Sequence, residues 1–247
     1  MASTLKKILK KNSGRDNSGS VVVRHQGGRQ KRFYRIVDFK RDKFDMVGTV
    51  AGIEYDPNRS VDLLLIHYKD GEKRYILRPL NVSLGDTIVS SEMVDIKNGN
   101  AMKIKNIPIG TPVHNVELTK GRGGQIVRSA GDQAMIVAKE VKYVQVKLPS
   151  GELRRILNDN YATIGQLSKV EWKDRVIRKA GAKRHMGIRP TVRGVAQDPK
   201  SHPHGGGEGR SGIGLKYPKT YTGRRAVGKT RDRKKFSNNM IIKRRKV

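Results

Sequence analysis

SVDLLLIHYKDGEKRYILRP, residues 60–79, reads as two strands joined by a tight turn. Its first half alternates and accumulates branched apolar residues, its second half repeats that character in KRYILRP, and Asp70-Gly71 between them is a strong hairpin signal. MVGTVAGIEY, residues 46–55, supplies a further strand just upstream and ends at the Asp56-Pro57-Asn58 turn. Downstream, Thr87–Ser90 and Val113–Leu118 complete about five short strands, separated by Gly85-Asp86, Asn98-Gly99-Asn100 and Pro108-Ile109-Gly110. Five short strands with almost no helical period fit a small closed or nearly closed barrel.

A second series starts at Gly123-Gly124. GQIVRSAG, AMIVAKE, YVQVKL, ELRRILN and ATIGQL give again about five strands, with Pro149-Ser150-Gly151 as a tight turn. A second small barrel is expected, and two such bodies together bury a more useful core than either alone. In SKVEWKDRVIRKAGAKR, residues 168–184, the apolar spacing is mixed and one short helix or 3₁₀ turn is expected. Beyond Gly181 the pattern predicts no regular element, and the basic Gly-rich stretch reads as disordered when alone.

Outside the strands the charge changes. The chain has 247 residues, no cysteine and a formal charge of +31. Residues 1–47 carry +9, 48–118 carry −1, 119–173 carry +5 and 174–247 carry +18. A near-neutral body between strongly basic arms is the distribution of a polyanion binder, since a merely solubilised surface would mix both signs throughout. Without cysteine there are no disulfides, thiol nucleophiles or Cys-ligated zinc. The longest strongly apolar run is Leu63–Ile66, far short of the ~20 residues of a membrane helix. A soluble intracellular protein is expected, with no membrane partner.

The expected binding residues lie in the arms. Arg24, His25, Arg29 and Arg32 surround Gly27-Gly28, and Phe33 and Tyr34 offer stacking faces, a combination that suits looped or single-stranded RNA. Phe33–Phe39 reads equally as an amphipathic edge strand. RPTVRGVAQDPKSHPHGGGEGR, residues 189–210, holds Arg189, Arg193, His202, His204 and Arg210 among glycines that allow close backbone approach. Arg122 and Arg128 lie in the Gly-rich junction between the barrels. His67 and His114 fall in predicted strands and read as structural, as do His185 and, against its RNA-facing reading, His25.

Three local patterns invite other chemistry. Residues 223–230, GRRAVGKT, satisfy the P-loop expression, but YPKTYT precedes it and RDRKKFSNN follows, so neither the strand nor the helix the mechanism needs is present; Arg224 and Lys229 are read as phosphate contacts. Residues 207–212 satisfy the dinucleotide fingerprint without a βαβ context. His202, His204 and Glu208 form an incomplete metal set around a proline and three glycines. The expectation is no catalytic residue, no metal and no cofactor. The rivals are an RNA-processing hydrolase using His202, His204 and Glu208, an NTPase using Lys229, and a free RNA chaperone.

The strings RHQGGRQKRFYRIVDFKR, EYDPNRS, KDGEKRYILRP, NIPIGTPVHNVE, GRGGQIVRSAG, RPTVRGVAQDP and HPHGGGEGR, in this order, resemble the ribosomal large-subunit protein-two family, of bacterial or organellar type. The resemblance covers about Val21 to Arg210 strongly and the basic tail more loosely. It implies a mainly β chain, an OB-like barrel followed by an SH3-like barrel, with long basic N- and C-terminal extensions. The expected segments are an arm over 1–45, the OB-like barrel over 46–118, the SH3-like barrel over 119–170 and the C-terminal extension over 171–247. It further implies a structural rRNA-binding protein of the large ribosomal subunit, supporting assembly, subunit association and the peptidyl-transferase region, with HPHGGGEGR nearest that centre. Expected partners are large-subunit rRNA, neighbouring ribosomal proteins, small-subunit contacts and tRNA, in a cytoplasmic ribosome or alternatively a mitochondrial or plastid one. Two departures stand out: only about twenty residues precede Arg24-His25, and Ser201 stands before His202 where an acidic residue is expected in many members.

Overall fold

The computed structural model describes residues 5–228, 231–232 and 234–245. They divide into two compact units: one of residues 5–9, 31–176 and 236–245, the other of residues 10–30 and the described part of 177–235. The first unit is almost wholly β. It opens with an antiparallel pair, β1 (Lys6–Ile8) against β2 (Phe33–Arg35). Glu54 ties this pair to the body, accepting from Lys6 and Arg35 at 3.0 Å each and from the Tyr75 hydroxyl at 2.7 Å.

The first barrel is an OB-like sheet of β3 (Gly48–Glu54), β4 (Leu63–Tyr68), β5 (Lys73–Leu77) and β6 (Thr87–Ile88), in the order β5-β4-β3-β6. The β4–β5 connection is the hairpin expected at Asp70-Gly71. Gly71 alone takes a positive φ, +82°, and Tyr68 and Glu72 close the loop through the Tyr68 N–H to Glu72 O bond of 3.0 Å. A three-residue loop with glycine in the left-handed position is the alternative to a two-residue turn.

The near-continuous apolar run of β4 has a structural cause: both faces are buried. Leu64, Ile66 and Tyr68 point into a core with Val50, Ile76, Val82 and Ile88. Leu63 points the other way, into a cluster with Val37, Val61, Tyr75, Leu77 and Leu167. The two-residue period of a strand therefore feeds two cores from one sequence. Leu167 closely follows Tyr161–Ile164, a strand of the second sheet, so the second cluster joins the barrels.

The SH3-like barrel is formed with β7 (Ala101–Lys103), β8 (Pro112–His114), a short β9–β10 pair (Val116–Glu117 and Gly124–Ile126), β11 (Ala134–Lys139), β12 (Tyr143–Lys147), β13 (Leu153–Leu157) and β14 (Tyr161–Ile164). The sheet order is β15-β13-β12-β11-β8-β14-β7, where β15 is Ile241–Lys243. Its core holds Met102, Ile104, Ile107, Val113, Val144, Val146, Ile156 and Ile164. The change of sheet thus falls between Ile88 and Ala101: β7 pairs with β14, and β8 pairs with both β11 and β14. The sequence reading counted Val113–Leu118 with the first barrel. Strand pairing decides membership, and short strands carry no mark of their partner. That run is also split, because Asn115 stands at φ +48° between β8 and β9.

Two elements add to those expected, the first overlapping the stretch where a single short helix or 3₁₀ turn was expected. Residues 180–186 form a seven-residue helix, α1 (Ala180–Met186), closed by Gly187 at φ +94°. Far beyond it, β15 pairs with β13, and the Arg155 N–H donates to Met240 O at 2.7 Å. Residues 236–245 therefore belong to the first unit, and segment 177–235 is tethered at both ends rather than free. Lacking strong apolar period, such a strand is specified by an open sheet edge, which the sequence does not display. The 3₁₀ turn Val170–Asp174 answers to the mixed spacing noted there. Among the described residues no helix is long and apolar enough to cross a membrane.

Candidate nucleic-acid interface

The second unit is assembled from two segments far apart in sequence. Gly27 N–H donates to Gly187 O at 2.7 Å, Gln30 N–H to His185 O at 2.9 Å, and Arg189 N–H to His25 O at 2.9 Å. Glycine makes this approach possible. A Cβ on Gly27 would lie 3.0 Å from Arg189 Cγ, and one on Gly187 would lie 3.2 Å from Gly27 O. This ribbon brings Arg24, His25, Arg29 and Arg189 onto one backbone framework. His25 stands at φ +61°, and its Nδ1 lies 3.1 Å from Pro190 O.

Residues 193–206 form a compact turn. Arg193 precedes the 3₁₀ turn Gly194–Ala196, His202 N–H donates to Asp198 O at 3.2 Å, and Gly205 N–H donates to His202 O at 2.9 Å. A Cβ on Gly205 would fall 2.4 Å from Asp198 O, so glycine is needed at the tip. The His202 and His204 rings sit 4.7 Å apart. His202 Nδ1 accepts from the His204 backbone N–H at 3.0 Å, and His204 Nε2 accepts from the Lys219 backbone N–H at 2.8 Å. These roles set the tautomers, leaving His202 Nε2 and His204 Nδ1 as the N–H donors.

A third turn carries aromatic faces. Thr220 N–H donates to Arg224 O at 2.7 Å, the Arg225 guanidinium lies 5.1 Å from the Tyr217 ring, and that of Arg24 lies 4.5 Å from the Tyr221 ring. Tyr217, Tyr221 and Arg225 were missed by the sequence reading. The interleaving of tyrosine and basic residues in KYPKTYTGRR, residues 216–225, was the signal that could have found them. Of the P-loop match, residues 223–228 are described; there Arg225 bridges back to Lys219 across the turn, and no α-helix follows among the described residues. Lys229 lies outside the described residues.

Among the described residues no carboxylate pairs with Arg24, Arg189, Arg193, Arg210 or Arg224, and all five are exposed. The ion pairs gather in the first unit instead: Arg74 bridges Asp38, Asp42 and Glu72, and Lys43 bridges Asp70 and Glu72. These cationic partners hold the Asp42, Asp70 and Glu72 carboxyl pKa values below the usual range, chiefly through hydrogen bonds from Arg74 and Lys43. The charge of these five arginines is thus not neutralised by a carboxylate among the described residues.

Three expected residues lie in the first unit, apart from that constellation. Arg32 Nη1 donates to Pro57 O at 2.7 Å. Arg128 stacks 4.5 Å from the Phe39 ring and donates to Gly124 O at 3.3 Å. It stands where the barrels meet: Gly124 N–H donates to Phe39 O at 2.8 Å, and Glu117, buried, accepts from Gly123 N–H at 2.9 Å and Tyr161 N–H at 3.1 Å. Arg122 is exposed in the same loop. A further aromatic–cation group was not anticipated: Lys169 Nζ lies 4.9 Å from the Tyr55 ring and 5.6 Å from Trp172, with Arg175 4.9 Å from Trp172.

Comparison with known families adds an independent finding. A family model described as Ribosomal Proteins L2, RNA binding N-terminal domain matches residues 2–90, and one described as Ribosomal Proteins L2, C-terminal domain matches residues 97–223. The two matches adjoin the point at which the chain changes sheet.

Proposed function

Since this chain belongs to the ribosomal protein L2 family, a structural family of rRNA-binding proteins of the large subunit, we propose that its second unit docks into folded rRNA and supports subunit assembly, subunit association and the peptidyl-transferase region. The observation that carries this reading is the ribbon between residues 25–30 and 185–189, which holds the exposed Arg189 on one framework with Arg24, neither having a carboxylate partner among the described residues. Arginines neutralise phosphates, and glycines let the backbone approach them. The proposed contacts are Arg24, His25, Arg29, Arg189, Arg193, His202, His204, Arg210, Arg224 and Lys229, joined by Arg32, Arg122 and Arg128 from the first unit. Neighbouring ribosomal proteins, the small subunit and tRNA are proposed as partners, in a cytoplasmic ribosome or alternatively an organellar one.

The proposed role is positioning, not catalysis. The exposed nitrogen of His202 is an N–H donor fixed by the turn, which suits an RNA acceptor oxygen. The test is sedimentation in high-salt gradients. The protein should travel with large subunits; recovery only at the top of the gradient would replace this reading with a free chaperone or an enzyme.

A further inference from the structure

His25 differs from every other expected contact in the hydrogen-bonding group it offers. Its Nδ1 lies 3.1 Å from a carbonyl oxygen, Pro190 O, and a carbonyl can only accept, so Nδ1 carries the proton. In the neutral ring Nε2 is then a lone-pair acceptor. No protein donor meets Nε2 among the described residues, and the nitrogen is not buried. The surrounding groups on the ribbon, Arg24, Arg29 and Arg189, are donors only.

The backbone at His25 makes the side chain matter. At φ +61° glycine would be cheaper, and an imidazole held there is held against strain. The strain fixes the ring direction together with two bonds to one segment: Nδ1 to Pro190 O and His25 O to the Arg189 N–H.

An outward acceptor on an arginine-rich ribbon cannot face a phosphate, because phosphate oxygens also accept. Where guanidinium groups hold the RNA backbone, the donor belonging to that backbone is the ribose 2′-hydroxyl. Resting on the rRNA reading above, we propose that His25 Nε2 accepts a hydrogen bond from a ribose 2′-hydroxyl, so that this residue distinguishes RNA from DNA at one nucleotide.

The experiment uses the full chain and the large-subunit rRNA fragment that it protects from nuclease. Single 2′-deoxy substitutions are scanned through the fragment. With the unaltered protein, affinity should fall about 3- to 10-fold at one ribose, the scale of one neutral hydrogen bond. His25→Gly, which suits the positive φ and should preserve the fold, should bind the unmodified and the deoxy fragment equally at that ribose while keeping its sensitivity elsewhere. A scan in which no penalty disappears with His25→Gly overturns the assignment. Nitrogen NMR of His25 in the unaltered complex gives a second reading: Nδ1 protonated and Nε2 bare are expected. An imidazolium, or a proton on Nε2, would instead mean a phosphate contact and end the proposal. Failure of the unaltered protein to bind any fragment would remove the rRNA reading itself, and the proposal with it.

Discussion

The His202 ring occupies the space where a side chain at Gly194 would begin: a Cβ there would lie 2.5 Å from His202 Cε1 and 2.6 Å from Nδ1. The imidazole is thus set by the chain's own packing, in a turn also closed by Asp198 and Gly205.

Gly194→Ala should displace the ring without altering its chemistry. Overpacking of this kind costs about 1–3 kcal/mol locally. Loss of the His204 N–H to His202 bond, read by hydrogen exchange at the His204 amide, should accompany weaker rRNA binding. An unchanged amide would show that the turn yields easily.

His202→Gln should mainly lower the yield of complete large subunits. The single-turnover rate of peptide-bond formation on assembled mutant subunits should stay near normal. Loss of general acid–base catalysis would slow it roughly 100-fold or more, and that result would contradict the positioning role.

His114 makes stability depend on pH. Burial pushes its pKa from 6.5 down to about 4; the hydrogen bond to Gly165 O at 2.7 Å works against this, and the Arg41 charge adds to it. The unfolded chain takes up this proton first as pH falls. The contribution is therefore full above about pH 6.5 and is lost on the way down to about pH 4, by roughly 3 kcal/mol at most. Urea unfolding of the chain and of His114→Asn should show the mutant's disadvantage shrinking between pH 7 and pH 5. A constant difference would mean that His114 protonates without penalty.

Removing residues 240–247 should free the edge of β13. The Arg155 amide loses Met240 O, its acceptor, and should exchange faster. Segment 177–235 loses its second tether and should become more sensitive to protease, while the β-rich body of residues 46–170 stays resistant. Equal cleavage rates would show that the tether is dispensable.

Arg189→Gln removes an exposed charge from the ribbon while its backbone bond to His25 remains. If the side chain meets a phosphate, the slope of log K against log salt should decrease by about 0.7–0.9. An unchanged slope would place Arg189 off the RNA backbone.

Most of the strands were legible because their information is local. Leu63–Tyr68, Lys73–Leu77 and Tyr143–Lys147 carry β-branched or apolar alternation, and Asp70-Gly71 and Pro149-Ser150-Gly151 punctuate it. The candidate residues were legible as a charge excess, since arginines and lysines far outnumber acids beyond residue 173. Their grouping was not. Nothing in RHQGGR or GIRPTVRG says that Gly27 and Gly187 meet at 2.7 Å, because a single close approach between distant glycines leaves no period to read.

By itself, then, the sequence determined the class of structure and the sign of its partner: short strands need a two-residue period and turn residues, and a polyanion needs basic charge without internal neutralisation. Only the tertiary structure decided that Ala101–Lys103 and Pro112–His114 join the second sheet, that Ile241–Lys243 returns to β13, and that His25 and His202 offer opposite hydrogen-bonding groups. The reason is physical. Strand partners and imidazole tautomers are set by whichever donor or acceptor comes within 3 Å or so, and that group lies far along the chain: Lys243 for Leu153 at the edge of β13, and Pro190 for His25.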